Sequence, residues 1–269
     1  MKYMTFNSSC SYAGLANLLS FYGVDTEDRD IALRMHLPYL FACEDGCYLS
    51  GPMLQGSKWF DLYLNPLGFT LVERILDKDA VSTELWDNVP AMLGIRVSPK
   101  SKHAVIYTGF RDRKYRFLNN KRQDSPEPET LSLTEEQLLA RLDESVVVGH
   151  LKRIAPASVS FRSCLENSVL VLQSLQAEIN AFCGKEQSAA SMREAMNALF
   201  RPILLDGVTM LELLDETTIV TTLKGVRTQF LDVIKEGQAA ILADRLDMPL
   251  LNGAITQYET LIMKHMETA

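Results

Sequence analysis

The composition of the chain changes at Pro156, and this change limits the folds that the chain can adopt. Both Trp and eight of the nine Tyr precede Pro156, together with most of the Gly and Pro residues. After it, Leu, Ala, Glu, Gln and Met dominate, and apolar residues recur at intervals of three and four, which is the spacing of an amphipathic helix. The sequence therefore predicts two domains, residues 1–155 and residues 156–269, of which the second is all-helical.

The first domain begins with helical patterns and continues with strand patterns. Helices are predicted at 10–22, 26–36 and 58–69, and a Gly-rich aromatic loop is predicted at 43–56. The strand patterns come only afterwards and are rich in β-branched residues, at 90–97, 103–111, 114–120 and 145–154. Helices followed by an antiparallel sheet predict an α+β fold for this domain.

Charge and hydropathy exclude several classes of function. The formal net charge is −7 and the Lys and Arg residues are not clustered, so we expect no nucleic-acid partner, because phosphate binding requires a basic patch. The chain has no signal-peptide pattern and no apolar run of about 18 residues, which predicts a cytoplasmic protein without a membrane partner. Five cysteines, an odd number in a chain of 269 residues, are expected to be reduced thiols.

Cys10 lies where polar residues give way to a helical pattern that ends near Gly23. Ser residues before it and Gly after the pattern are typical helix boundaries, so Cys10 is predicted to open the helix. The helix dipole and a nearby imidazolium can lower a thiol pKa from about 8.5 to between roughly 3.5 and 7.5. Cys10 is therefore either a nucleophile that is a thiolate near neutral pH or a small buried apolar side chain.

His103 and Asn119 could complete a catalytic set with Cys10. His103 is predicted as the first residue of a strand, after the polar turn "SPKSK", where its ring can act as a base. Asn119 ends the next strand, sixteen residues later, where an amide could fix the ring tautomer. The neighbouring Asn120 is hard to separate from Asn119, although strand register favours Asn119. Each of these residues alone could instead be a turn residue.

This pattern of a helix-opening Cys, a strand-opening His and a following Asn resembles the papain-like cysteine enzymes. The stretch "CSYAGLANLLSFYG" is similar to the double-glycine leader peptidases, which have Asp at the position of Asn119. Those peptidases also carry an oxyanion-hole Gln six residues before the cysteine, where this chain has Met4. Asn7 is the candidate to replace it.

A wider resemblance is to the butirosin biosynthesis protein H family, in which a papain-like amino-terminal domain precedes a helical one. It rests on the stretch at 10–23, on "LPYLFACEDGCYLSG", on "KHAVIYTGF" and on "LTEEQLLARL". The resemblance implies an acyltransferase that moves an acyl group from a thioester, carried by a carrier protein, to an amine in antibiotic biosynthesis. The alternatives are a cysteine peptidase and a catalytically inactive binding module of the same fold.

The remaining features predict neither a cofactor nor a metal ion. Cys43 and Cys47 have three residues between them, without a second Cys pair, and His36 is the only nearby imidazole, so zinc is not favoured. The Met-rich helices near 192–210 and 262–266 are typical of a core or of a subunit interface, as in a homodimer.

Overall fold

The computed structural model describes residues 1–6, 10–99 and 101–268. The helices are α1 (Cys10–Ser20), α2 (Asp28–Arg34), α3 (Ser57–Leu64), α4 (Val81–Asp87), α5 (Glu135–Leu139), α6 (Arg162–Cys183), α7 (Ala189–Ala195), α8 (Val208–Leu213), α9 (Thr217–Glu236) and α10 (Met248–Thr268). The strands are β1 (Phe41–Glu44), β2 (Cys47–Ser50), β3 (Phe69–Asp77), β4 (Ala91–Ser98), β5 (Ser101–Arg111), β6 (Lys114–Asn119), β7 (Thr130–Leu133), β8 (Ser145–Arg153), β9 (Glu186–Gln187) and β10 (Ala240–Ile241).

The chain divides into two compact units, which we call the sheet unit and the helical unit. The sheet unit comprises Met1–Met35 and Gln55–Val159, and the helical unit comprises His36–Leu54 and Ser160–Ala269. This division differs from the predicted domains at residues 36–54, which group with the later helices although they lie early in the chain. The chain leaves the sheet unit after Met35 and returns to it at Gln55, so position in the sequence alone does not assign this segment to its unit.

Six of the described strands form one antiparallel sheet in the order β3-β8-β4-β5-β6-β7. The predicted strands correspond to β4, β5, β6 and β8, and the α+β fold is thereby confirmed. In the pairing of β5 with β6, Val105 lies opposite Asn119. In the pairing of β5 with β4, His103 lies opposite Ile95. His103 is thus the third residue of β5. The prediction that it is the first residue of the strand is wrong by two positions.

Two strands and two helices of the sheet unit were not predicted. β3 precedes α4, so the order of helices first and strands afterwards is wrong. β3 and β7 are the two edges of the sheet. Solvent reaches the centre of β3, where Ile75 is 75% exposed and its neighbours Glu73 and Arg74 are charged and exposed. Such a strand lacks the strong alternation of apolar and polar residues that marks a half-buried strand.

The predicted loop at 43–56 overlaps a β-hairpin, formed by β1 and β2 in the helical unit. Its turn consists of Asp45 and Gly46, with φ angles of 50° and 76°. Positive φ at both central residues is the requirement of a type I′ turn, and Asp-Gly is a favoured pair for it. The Asp45-Gly46 dipeptide is the sequence signal that indicates this hairpin. The prediction of a loop depended instead on the Gly and aromatic content of the segment.

From Ser160 to Ala269 the helical unit consists of α6 to α10, and one feature departs from the all-helical prediction. The two-residue strands β9 and β10 pair with each other. Residues Met196–Phe200 and Pro202–Gly207 are π-helical, and Pro202 lacks the backbone N–H that a regular helix would use. None of the helices in the described part of the chain combines the length and the apolar character needed to cross a lipid bilayer.

Helix α1 is the central element of the sheet unit, because every residue from Tyr12 to Leu19 is buried. It packs on β4 and β5 on one side and contacts α2 on the other. A helix enclosed in this way is apolar over most of its circumference, its buried Asn17 is hydrogen-bonded, and each fully buried Leu stabilises the unit by about 1.5–3 kcal/mol. At Gly14 a Cβ atom would lie 2.7 Å from Met92 Sδ, so glycine allows the helix to approach the sheet closely.

The opposite face of the sheet carries the second part of the core. It packs against α4 and α5, whose apolar residues Val81, Leu85 and Leu138 are fully buried. The strands contribute Leu93, Val105, Tyr107, Phe117, Val146 and Val148, among others. The sheet is therefore held between two layers of helix, and the amino-terminal end of α1 lies against its β5 strand.

Candidate active site

A cavity of about 340 Å³ lies in the sheet unit at the start of α1. Its apolar wall is formed by Phe60, Met92, Leu93, Ala104 and Val147, with the strand glycines Gly94 and Gly149 between them. Its polar wall is formed by Cys10, Ser11, Gln55, Gly56, Glu73, Lys102 and His103. The cavity therefore brings together two of the three predicted catalytic residues.

Cys10 is the first residue of α1 and is half-buried. Its Sγ accepts a hydrogen bond from the backbone N–H of Ala104 at 3.0 Å. Ala104 directly follows His103, so this bond fixes the thiol beside the strand that carries the imidazole. Helix α1 and strand β5 hold the two groups together although 93 positions separate them in the sequence.

The pKa of the Cys10 thiol is raised above its ordinary value, because burial penalises the thiolate. The backbone N–H groups of Ala104 and of Cys10 itself act in the opposite direction, and the charge of Glu127 adds a smaller increase. The expectation of a lowered pKa at the helix start is therefore wrong in direction. The resting group is a neutral thiol, and it needs a base in order to react as a thiolate.

The His103 ring contacts the third predicted residue. His103 Nδ1 lies 2.9 Å from Asn119 Oδ1. Asn119 is fully buried, and its Nδ2 donates to the carbonyl oxygen of Pro128 at 3.0 Å. Because the amide nitrogen of Asn119 faces an acceptor, its oxygen faces the ring, and Nδ1 is the protonated nitrogen of a neutral His103. Nε2 is then the nitrogen that can accept a proton.

Asn120 takes a different position, although it is also fully buried. Its Oδ1 accepts a hydrogen bond from Asn17 Nδ2 of α1 at 2.7 Å. Within the ranges that the structure describes, Asn120 Nδ2 has no hydrogen-bond partner. The contact to the imidazole thus belongs to Asn119, the residue that strand register favours, and Asn120 joins the sheet to α1.

Glu127 is a neighbour of the ring that the sequence did not indicate. Its Oε2 lies 3.2 Å from His103 Nδ1 and 3.4 Å from Asn119 Nδ2. It belongs to the polar segment "QDSPEPET", which reads only as a loop between β6 and β7. The carboxylate follows Asn119 by eight positions, and the return of this loop to β5 is a property of the folded chain.

The predicted oxyanion-hole residue Asn7 lies outside the described residues. Met4, at the position of the family glutamine, donates its backbone N–H to the carbonyl of Lys121 at 3.1 Å and does not line the cavity. A different amide does: Gln55, whose Oε1 accepts the hydroxyl hydrogen of Ser11 at 2.8 Å. Gln55 was not singled out by the sequence, because 45 positions separate it from Cys10.

Cys43 and Cys47 belong to the hairpin of the helical unit, where both are exposed. They pair with different partners, Cys43 with Tyr48 and Cys47 with Glu44, so their side chains point to opposite faces of the hairpin. Over residues 1–6, 10–99 and 101–268, no group of three or more His, Cys, Asp or Glu side chains could hold a metal ion.

Fold and cavity together define an α+β chain in which a thiol, an imidazole and a carboxamide converge. No family model matches the chain, and comparison with curated proteins gives no significant match. The functional assignment therefore depends on the residues and geometry of the cavity.

Proposed function

We propose that this protein is a papain-like thiol acyltransferase that moves an acyl group from a thioester to an amine through an acyl-enzyme at Cys10. The observation that carries the proposal is the cavity in which Cys10 Sγ is hydrogen-bonded next to His103, while His103 Nδ1 contacts Asn119 Oδ1. Nucleophile, base and orienting amide in that order are what nucleophilic acyl transfer by a thiol requires.

The first half of the reaction forms the acyl-enzyme. His103 Nε2 takes the proton of the Cys10 thiol as sulfur attacks the thioester carbonyl. The tetrahedral intermediate then collapses, the bond from the carbonyl carbon to the donor sulfur breaks, and His103 gives the proton to the departing thiolate, which leaves as a thiol. This role of the base agrees with the raised pKa of Cys10, because a neutral thiol has to lose its proton during the attack.

The negative charge on the carbonyl oxygen needs hydrogen-bond donors. The backbone N–H of Cys10 is one, since it opens a helix whose first N–H groups have no partner within the helix. The Gln55 carboxamide is a second candidate, because it lines the same cavity as Cys10 and contacts Ser11, the next residue of α1. Asn7 remains a sequence-based candidate for the same role.

The second half of the reaction transfers the acyl group. An amine attacks the Cys10 thioester and gives its proton to His103, the bond from the carbonyl carbon to Sγ breaks, and His103 passes that proton to the Cys10 thiolate. Transfer to an amine, a carrier-protein donor and a place in antibiotic biosynthesis rest on the family resemblance. The largely apolar wall of the cavity supports transfer further, since it disfavours water as the competing acceptor.

The proposal is tested with a set of acyl thioesters and a panel of primary amines. We expect an adduct of acyl mass at Cys10 in intact-protein mass spectrometry, followed by amide product when a suitable amine is added. Amide should form faster than free acid accumulates without amine. If all amines fail and internal bonds of peptides are cut instead, the peptidase alternative replaces this proposal. If neither occurs and Cys10 forms no adduct, the chain is a binding module.

The roles of the two adjacent asparagines are distinguished by a matched pair of variants. Asn119→Ala should lower kcat for acyl transfer by roughly 10- to 100-fold, because the ring of His103 loses the nearer of the two oxygen atoms that face its Nδ1. Asn120→Ala should leave kcat within about 2-fold and lower the free energy of unfolding by about 1–3 kcal/mol, because it removes the acceptor of one of the two hydrogen bonds that the buried Asn17 Nδ2 donates. Steady-state kinetics and urea unfolding measure both effects, and the reverse pattern would contradict the assignment.

A further inference from the structure

The Nδ1 atom of His103 has two oxygen neighbours, although it carries only one hydrogen. Asn119 Oδ1 is 2.9 Å away and Glu127 Oε2 is 3.2 Å away. The side chains of His103 and Glu127 are only 18% and 24% exposed, so water screens their interaction weakly. An amide alone suffices to orient the ring, and the carboxylate is therefore an additional component of the site.

The loop that carries Glu127 is built to hold this side chain at the ring. Glu127 lies between Pro126 and Pro128, whose rings restrict the backbone. Its own N–H donates to Ser125 Oγ at 3.2 Å. The next residue accepts from Asn119 Nδ2 at 3.0 Å, and Asn119 N–H donates to the carbonyl of Glu129 at 2.7 Å. The loop and the end of β6 thus form one hydrogen-bonded unit around the imidazole.

The other ionisable groups that share the cavity with His103 already have different partners. Lys102 Nζ forms an ion pair with Asp143. Glu73 Oε2 accepts the backbone N–H of Ser57 at the start of α3, at 2.6 Å. Cys10 is a neutral thiol at rest, as its raised pKa indicates. Of the described residues, Glu127 supplies the carboxylate that contacts the His103 ring.

The charge of Glu127 acts on the reaction in two opposite ways. It raises the pKa of the Cys10 thiol, although burial does so more strongly, and this disfavours the thiolate. It also lies against the ring that must become an imidazolium when it takes the thiol proton, and this favours proton transfer. Glu127 contacts the imidazole ring directly, at 3.2 Å from Nδ1. Its stabilisation of the imidazolium should therefore exceed its destabilisation of the thiolate.

We infer that Glu127 is a positioning residue that holds the Nδ1 hydrogen of His103 together with Asn119 and stabilises the imidazolium formed when Cys10 is deprotonated. Its catalytic consequence rests on the proposed thiol chemistry. No atom of Glu127 has to contact the acyl group. When the proton moves from Sγ to Nε2, the Nδ1 hydrogen stays in place, and the positive charge of the ring is offset by the carboxylate.

The inference is tested by measuring how fast iodoacetamide alkylates Cys10 at pH 7, with mass spectrometry of the Cys10 peptide. This readout needs only the thiol and its base, so it is informative even if the protein transfers no acyl group. Glu127→Gln keeps the size of the side chain and one acceptor oxygen but removes its charge. We expect alkylation to slow by about 10-fold, the lower limit of the effect of an opposite charge within 4–6 Å.

Two further variants make the result decisive. Glu127→Asp keeps the charge and should recover much of the rate, and it remains a test if the Gln variant folds poorly by circular dichroism. Glu129→Gln removes the charge of a nearby loop residue that accepts from the Tyr3 hydroxyl at 2.8 Å, and it should alkylate like the unchanged protein. The inference would be overturned if Glu127→Gln were alkylated at an unchanged or faster rate. It would also be overturned if Glu127→Asp were alkylated as slowly as the folded fraction of Glu127→Gln.

Discussion

Replacing Cys10 by alanine is expected to abolish both the acyl adduct and turnover, with a loss on the order of 10⁴-fold or more in kcat. The reason is that the covalent intermediate forms on this sulfur, and the variant keeps only the binding surface of the cavity. The change removes one sulfur atom from a half-buried position at the start of α1, so the variant should unfold at nearly the same denaturant concentration. Intact-protein mass spectrometry and thioester turnover measure the two effects.

The exposed thiols of the hairpin provide the matched control for this variant. Cys43→Ala and Cys47→Ala remove sulfur atoms that solvent reaches freely, and both should retain the adduct and full turnover. Stable acylation of Cys43 or Cys47 in the Cys10→Ala protein, accompanied by product formation, would assign the nucleophile to the hairpin and contradict the proposed site.

His103→Gln should lower the rate of acyl-enzyme formation by about 10²- to 10⁴-fold, the usual contribution of a general base. Burial raises the pKa of the Cys10 thiol, so without an internal base the thiolate forms only as the pH rises. The rate of the variant should therefore increase steadily with pH above 7, whereas the unchanged protein reaches its maximum at lower pH. Rapid-quench measurement of the acyl adduct between pH 6 and 10 tests this.

His150→Gln is the control for the imidazole. His150 lies in β8 opposite Val72 and does not line the cavity, so its replacement should not alter the pH dependence of acylation. Added imidazole should restore part of the rate to His103→Gln, because this variant stays folded and lacks only the internal base. A His103→Gln protein that acylates at the unchanged rate would remove His103 from the mechanism.

The sequence predicted those parts of the fold that local patterns determine. The helix from Cys10 to Ser20 and the strands β4, β5, β6 and β8 were predicted because helical spacing, β-branched residues and bounding Gly or Pro residues act over a few positions. The edge strand β3 was missed because its exposed centre lacks alternation. The β1–β2 hairpin was missed although its Asp-Gly turn carries a local signal.

The candidate site was predicted in part for the same reason. Cys10 and Asn119 occupy element boundaries that the sequence marks, His103 lies two residues inside β5, and the structure joins His103 to Asn119 by a direct contact. Gln55 and Glu127 could not be recognised, since each lies in a connecting segment without a distinguishing pattern. Their contacts with Ser11 and with the ring of His103 depend on how these segments return to the sheet.

The direction of the Cys10 pKa shift also required the tertiary structure. From the sequence, the helix start favours the thiolate, because local dipoles and N–H groups stabilise an anion. In the folded chain α1 is enclosed by the sheet and by other helices, and the loss of water around the thiol outweighs those local groups. The sequence alone thus determined the helices and strands with strong local patterns and the order of the candidate residues along them. The contacts and the solvation of each group were decided by packing, because both depend on atoms that are distant in the chain.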